Sequence, residues 1–312
     1  MLKSPHQHTI KAPVTITGIG VHSGAPATLV IKPATVNTGI NFIRTDITDR
    51  PNVVPARWDA VTETRLCTVV SNEHGVTVST IEHLLSAFAA LGLDNAVVEI
   101  NGPEIPIMDG SAIHFVEKLN VTGLARQGTP RLALRIKKTV SYKEGDKETF
   151  LSPADGAFFG MEIDFENKLI GRQKYTHALT ESGYRSDIAA ARTFGFLPEI
   201  EHLKTLGFAR GGSLDNAIVI DGDKILNPEG LRFTNEFVRH KLLDAIGDLY
   251  LAGAHLIGHY HGVKAGHAMN NKILHTLFAT PDAFEFVVVG SRNIDRRVAN
   301  IGYTEAAQAV SA

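Results

Sequence analysis

The order of the periodic segments constrains this chain most. Alternating apolar residues mark strands over 14–19 and 27–31, separated by the turn Gly20-Val21-His22-Ser23-Gly24. A helix is expected over 79–91, a strand over 95–100 and a second helix over 109–119. A stretch rich in turn residues, 123–131, reads as a linker. Strands return over 132–136 and 160–165, followed by a helix over 186–194 and a strand over 217–220. The clearest helix covers 236–253, and a strand over 259–263, a helix over 270–278 and a strand over 284–289 close the series. Strands therefore gather in runs around single helices. That order predicts an α+β fold and excludes the regular alternation of a doubly wound sheet. A chain of 312 residues is long enough for two cores. A faint echo, Leu84-Leu85-Ser86-Ala87 against Leu242-Leu243-Asp244-Ala245, points toward duplication but is too short to carry it alone.

The two strongest helices both carry acid and histidine. In the first, Ser79 is the expected N-cap and Glu82 falls three residues later, the spacing of a capping box, while Gly92 is placed to end the helix. Glu82-His83 can also be read chemically: His83 as a ligand, Glu82 turned about 100° away toward a water. In the second helix, Leu242, Leu243, Ile246, Leu249, Tyr250 and Gly253 share one face at 100° per residue. His240, Asp244 and Asp248 form a row on the other, so His240 and Asp244 can converge on one ion. Two imidazoles and a carboxylate hold a divalent metal and leave a coordination position open, the composition of a catalytic site. The bland alternatives are a capping glutamate, a core histidine and an ordinary polar helix face. Gly266-His267, expected on a loop, can donate to a developing oxyanion or protonate a leaving amine. His255 and His259 share the same four-residue spacing, with His261 close by, and the residues alone leave this rival cluster open. His6, His8 and His74 read as tail or surface residues.

Composition removes other classes. A net charge of -2 gives no general attraction to nucleic acid or an anionic membrane. A single cysteine, Cys67, excludes an internal disulfide and a Cys-rich zinc site. Residues 1–8 lack the apolar core of a signal peptide, and the longest apolar stretches are too short to span a bilayer. A cytoplasmic location is expected, with peripheral membrane contact through a small patch left open. There is no His-Glu-x-x-His, no Gly-x-Ser-x-Gly and no Walker loop.

Seven segments together resemble one family. They are Gly18-x-Gly20-Val21-His22-Ser23-Gly24, Thr80-x-Glu82-His83-Leu84-Leu85-Ser86-Ala87, Met108-Asp109-Gly110-Ser111-Ala112, Ala191-Arg192-Thr193-Phe194-Gly195-Phe196 and Gly212-Ser213-Leu214-Asp215-Asn216-Ala217. Then come Leu231-Arg232-Phe233-x-x-Glu236-Phe237-x-Arg239-His240-Lys241-x-x-Asp244-x-x-Gly247-Asp248-Leu249 and Lys264-x-Gly266-His267-x-x-Asn270. In this order they resemble the UDP-3-O-acyl-N-acetylglucosamine deacetylases of lipid A biosynthesis. The resemblance implies zinc, or Fe²⁺ in its place, on His83, His240 and Asp244, and gives no ligand role to His255, His259 or His261. It implies Glu82 as general base, His267 oriented by Asp248, and the Thr193 hydroxyl at the oxyanion.

It further implies two similar domains, 1–125 and 132–312, joined by a linker at 126–131. Each is a small sheet layer with helices, the helices lie between the sheets, and the active site is at the domain interface. An insert near 194–220 would form a passage for the substrate's acyl chain, with Phe194, Leu197, Ala217 and Val219 as lining. Lys241 and Lys264 are candidates for the diphosphate and sugar, whose oxygens suit cations, and Phe165 for the uracil ring. The implied reaction is hydrolysis of the N-acetyl group, the committed step of lipid A biosynthesis, by a monomer with no nucleic-acid partner. A chain ending at Ala312 leaves the expectation of the deacetylase activity alone. The alternatives are a related amidohydrolase on another N-acyl sugar and a catalytically silent binder of the nucleotide sugar.

Overall fold

The computed structural model describes residues 4–290, so the last part of the expected second domain, 291–312, lies outside the described residues. Among the described residues, six α-helices and several small sheets make the fold α+β, as the order of segments predicts. In the first half a five-stranded sheet runs Val14–Ile19, Pro26–Pro33, Ala96–Ile100, Ile40–Arg44, Val53–Pro55. Its pairings are antiparallel except between Ile40–Arg44 and Ala96–Ile100. A second, three-stranded sheet holds Val61–Glu63, Val69–Ser71 and Thr77–Ser79. Helices α1 (Glu82–Leu91) and α2 (Ile113–Thr122) belong to this half.

The second half is built on the long strand His255–Val263. Ala157–Asp164 pairs along one edge, while Leu132–Ile136 and Lys147–Ser152 share the other. Helices α3 (Glu181–Asp187), α4 (Leu197–Thr205), α5 (Glu236–Tyr250) and α6 (His267–Ala279) complete it. A small sheet, Phe194–Phe196, Ile218–Asp221 and Lys224–Ile225, lies beside α4 in the region expected as an insert.

Four expectations need correction. The expected linker is not irregular: Leu124–Pro130 is a strand paired antiparallel with His6–Ile10. Its glycine and proline are tolerated because, among the described residues, Leu124–Pro130 pairs with a strand on one edge alone. His6 and His8 therefore lie in a strand rather than a tail, and buried Arg131 joins His8 Nδ1, Asp94 and the Gly92 carbonyl at the end of α1. The helix expected over 186–194 ends at Asp187, and Phe194–Phe196 is a strand paired with Ile218–Asp221. Thr180 supplies the helical start, its hydroxyl accepting from the Gly183 N–H, and no comparable signal lies within 186–194. The second helix begins at Ile113, after a turn in which Asp109 accepts from the Ser111 N–H and hydroxyl.

Helices α1 and α5 pack against each other at the centre of one continuous core. All of α1 except Leu91 is buried, as are twelve residues of α5, including His240, Asp244 and Asp248. The polar row of α5 is thus enclosed, not solvated. The closest approach is set by Gly247, where an added Cβ would come within 2.0 Å of the Glu82 carbonyl oxygen. The absence of a side chain there is what lets the start of α1, Glu82-His83, face the polar row of α5.

Candidate metal centre

Glu82-His83 lies just beyond the strand Thr77–Ser79. Thr80, at φ 58°, turns the chain, and α1 begins at Glu82 behind Ile81. The expected capping box is not formed. The Ser79 hydroxyl donates to the Pro103 carbonyl at 3.0 Å, because Ser79 completes a strand. Glu82 instead turns inward, its Oε2 accepting from the Thr68 N–H at 3.1 Å. Gly92 does end the helix, in the left-handed region at φ 77°.

His83, His240 and Asp244, from the two central helices, place one donor atom each within 4.8 Å of the others. His240 Nε2 is 3.3 Å from Asp244 Oδ1, and His83 Nε2 is 3.5 Å from the same oxygen. The His240 Nδ1–H donates to the Ala191 carbonyl at 3.0 Å. A carbonyl can only accept, so Nε2 is left with its lone pair. Lys241 Nζ donates to Asp244 Oδ2 at 2.8 Å, which occupies one carboxylate oxygen and leaves Oδ1. That oxygen is buried without a hydrogen-bond partner among the described residues, an arrangement that calls for a cation. The protonation states agree. Burial holds His240 down at about 4, outweighing the pull of Asp244. Burial opposes the charge on Asp244, yet His240, Lys241 and His83 hold it well below the usual carboxylate range. A neutral imidazole and an ionised carboxylate are the forms a divalent ion binds. The donor set fits such an ion.

The second half supplies the rest. His267 is not on a loop but is the first residue of α6. Its Nδ1 donates to Asp248 Oδ2 at 2.9 Å, and its Nε2 lies 4.0 Å from Glu82 Oε1. Asn270, one turn on, donates to the same Asp248 oxygen at 2.8 Å and accepts from the Tyr260 hydroxyl. Burial alone would lower His267, but the Asp248 and Glu82 carboxylates outweigh it and hold it at about 9. Burial raises Glu82, against the pull of His267 and His83.

The His267 shift has a consequence for stability. A histidine held at about 9 in the fold but near 6.5 when unfolded stabilises fully below pH 6.5, and that contribution is lost as pH rises through 9. The metal-free protein should therefore melt progressively lower between those values, and His267→Gln should flatten that slope. Equal slopes in the two proteins would contradict the raised value.

The other candidates are distributed as follows. Thr193 is half-buried, its N–H donating to Gly110 and its carbonyl accepting from Ile218. Phe194 sits 6.4 Å from the His240 ring and 5.8 Å from Phe165, centroid to centroid. Leu197 begins α4, while Ala217 and Val219 are buried in and beside the small sheet. Lys241 faces a metal-ligand candidate, as described. Lys264, in the left-handed region at φ 51°, reaches Asp146 at 3.0 Å and Asp164 at 3.3 Å. The rival histidines separate: His255 and His259 share a strand, where four residues span about 13 Å. His255 faces Asp94, and His261 stacks on Phe150.

A family model described as UDP-3-O-acyl N-acetylglycosamine deacetylase matches residues 7–279. The chain belongs to this family. The relative from Phenylobacterium zucineum (strain HLK1), named UDP-3-O-acyl-N-acetylglucosamine deacetylase, is 51% identical over 278 residues, covering 89% of this chain and 95% of its own length. Relatives of the same name from Pasteurella multocida (strain Pm70) and Shewanella violacea are 47% and 48% identical, each covering 90% of this chain and 92% of its own. The family resemblance carried by the motifs is thus borne out. Sequence reading missed Thr68, which contacts both Glu82 and Asp248. It lies in an aperiodic stretch beside Cys67, and its type and spacing offered no signal.

Proposed function

We propose that this chain hydrolyses the N-acetyl group of UDP-3-O-acyl-N-acetylglucosamine, releasing acetate and leaving the free amine for lipid A biosynthesis. His83, His240 and Asp244 would hold the divalent ion, Zn²⁺ or Fe²⁺, since imidazole and carboxylate suit both. The observation that carries this reading is the unpartnered, buried Asp244 Oδ1 between two imidazole nitrogens, with Glu82 next in sequence to one of them. The names of the relatives supply the substrate.

A divalent ion bound there supplies a Lewis acid and an acidified water. Glu82 takes the proton of the attacking water, and burial raises its basicity for that work. His267, at about 9, carries its proton at neutral pH. Asp248 engages Nδ1, so Nε2–H is the donor available to the departing amine. The Thr193 hydroxyl is assigned to the oxyanion. Phe194, Leu197, Ala217 and Val219 are assigned to the acyl chain, Phe165 to the uracil ring, and Lys264 and Lys241 to the sugar and diphosphate. Use of Lys264 requires exchange of its Asp146 and Asp164 partners for substrate. The domain division at 126–131 belongs to the same proposal, as do a monomeric state and a cytoplasmic setting. Among the described residues no helix is long and apolar enough to cross a membrane.

Acetate release from the 3-O-acyl substrate, compared with UDP-N-acetylglucosamine lacking the acyl chain, tests the reading. Release that depends on the acyl chain is expected. Binding of the nucleotide sugar without any acetate, by folded and metal-replete protein, would favour the silent binder.

A further inference from the structure

Thr68 lies between the strands Val61–Glu63 and Val69–Ser71, outside both central helices, and is 1% exposed. It hydrogen-bonds to both carboxylates that flank His267. Its N–H donates to Glu82 Oε2 at 3.1 Å, and its hydroxyl donates to Asp248 Oδ1 at 2.5 Å. The consequences are geometric. With Oε2 engaged, Glu82 turns Oε1 toward His267 Nε2. With Oδ1 engaged, Asp248 keeps Oδ2 for His267 Nδ1 and Asn270 Nδ2. Among the described residues, the other side chains that hydrogen-bond to Asp248 come from α6, in the second half. The Thr68 hydroxyl is thus a hydrogen bond across the two halves, made at the carboxylate that orients His267.

We propose that Thr68 is a positioning residue for this site: it fixes Glu82 through its backbone and the Asp248–His267 pair through its hydroxyl, setting the two proton-handling groups relative to one another. The proposal rests on the deacetylase reading above, and wild-type acetate release is measured first. If wild-type protein releases none, that reading fails; if it does, the variants judge Thr68.

The Thr68→Val change keeps the backbone N–H and the branched shape and removes only the hydroxyl. Loss of such an orienting partner should lower kcat by about 10- to 100-fold, with KM and bound-metal stoichiometry near wild type and a modest fall in melting temperature from the unpaired Asp248 oxygen. Thr68→Ser should restore most of the rate. In an Asp248→Ala background the same Thr68→Val change should cost little more, since both act through one hydrogen bond. Thr68→Ser against Thr68→Ala isolates the hydroxyl a second time if the valine variant fails to fold. A Thr68→Val kcat within about twofold of wild type, against the 10- to 100-fold expected of an orienting partner, would overturn the proposal. So would a serine variant no better than alanine, or an undiminished loss in the Asp248→Ala background.

Discussion

Glu82→Gln is expected to lower kcat for acetate release by about 10²- to 10⁴-fold, the usual contribution of a positioned general base, while one equivalent of metal stays bound. Glutamine has the same shape and can still accept from the Thr68 N–H, so the packing of α1 against α5 is preserved. What it cannot do is take a proton. Glu82 is 3% exposed and its carboxylate lies 4.0 Å from His267, so no neighbouring solvent group readily substitutes for it. His83 is the adjacent residue, yet its Nε2 points to Asp244 rather than to Glu82, which separates metal retention from turnover. The measurement is kcat at saturating substrate with metal content determined on the same sample. Near-normal turnover would remove Glu82 from the proton transfer. Loss of metal alongside the rate would instead assign it a structural part in the site.

Gly247→Ala is expected to cost the site far more than it costs the fold. Its Cβ would sit 2.0 Å from the Glu82 oxygen, 2.8 Å from the carbonyl carbon and 3.0 Å from the Cα. These are backbone atoms of a buried helix, with no flexible side chain to yield. Restoring an ordinary contact of about 3.5 Å requires α1 and α5 to separate by more than 1 Å or so. Alanine gains about 1 kcal/mol of helix propensity over glycine, but overpacking costs about 1–3 kcal/mol and occasionally more. The net stability change is modest beside the effect on the site. His83 rides on α1, and His240 with Asp244 on α5. A displacement of roughly 1 Å at a catalytic site can cost about 10²-fold in rate. Gly247→Ala should therefore lose about that much in kcat/KM, with weakened metal retention, and its melting temperature should fall less than the activity suggests. A variant with wild-type rate and metal content would mean the helices tolerate separation.

What was legible beforehand follows from what the residue pattern encodes. The α5 row His240, Asp244, Asp248 was readable because a helix repeats every 3.6 residues and places the three on one face. The burial of that row was not, because enclosure depends on α1 arriving from the other half of the chain. Glu82 illustrates the converse: Ser79-x-x-Glu82 matches a capping box locally, but pairing of Thr77–Ser79 in a sheet claims Ser79 first. The ribbon between His6–Ile10 and Leu124–Pro130 joins segments far apart in sequence, so its glycine and proline read locally as a linker. The choice among rival histidines was open from spacing because four residues mean one turn on a helix and about 13 Å on a strand. Thr68 carries no periodic signal, and only the folded contacts reveal it.

Metal stoichiometry tests the centre most directly. The protein is stripped with chelator, returned to buffered Zn²⁺, and compared with His83→Ala, His240→Ala and Asp244→Ala variants treated alike, with acetate release followed in parallel. One equivalent per wild-type chain, restoring the rate lost on chelation, and markedly less metal in each folded variant are expected. Full metal content in those three variants, or wild-type acetate release unaffected by chelation, would contradict a catalytic metal held by His83, His240 and Asp244.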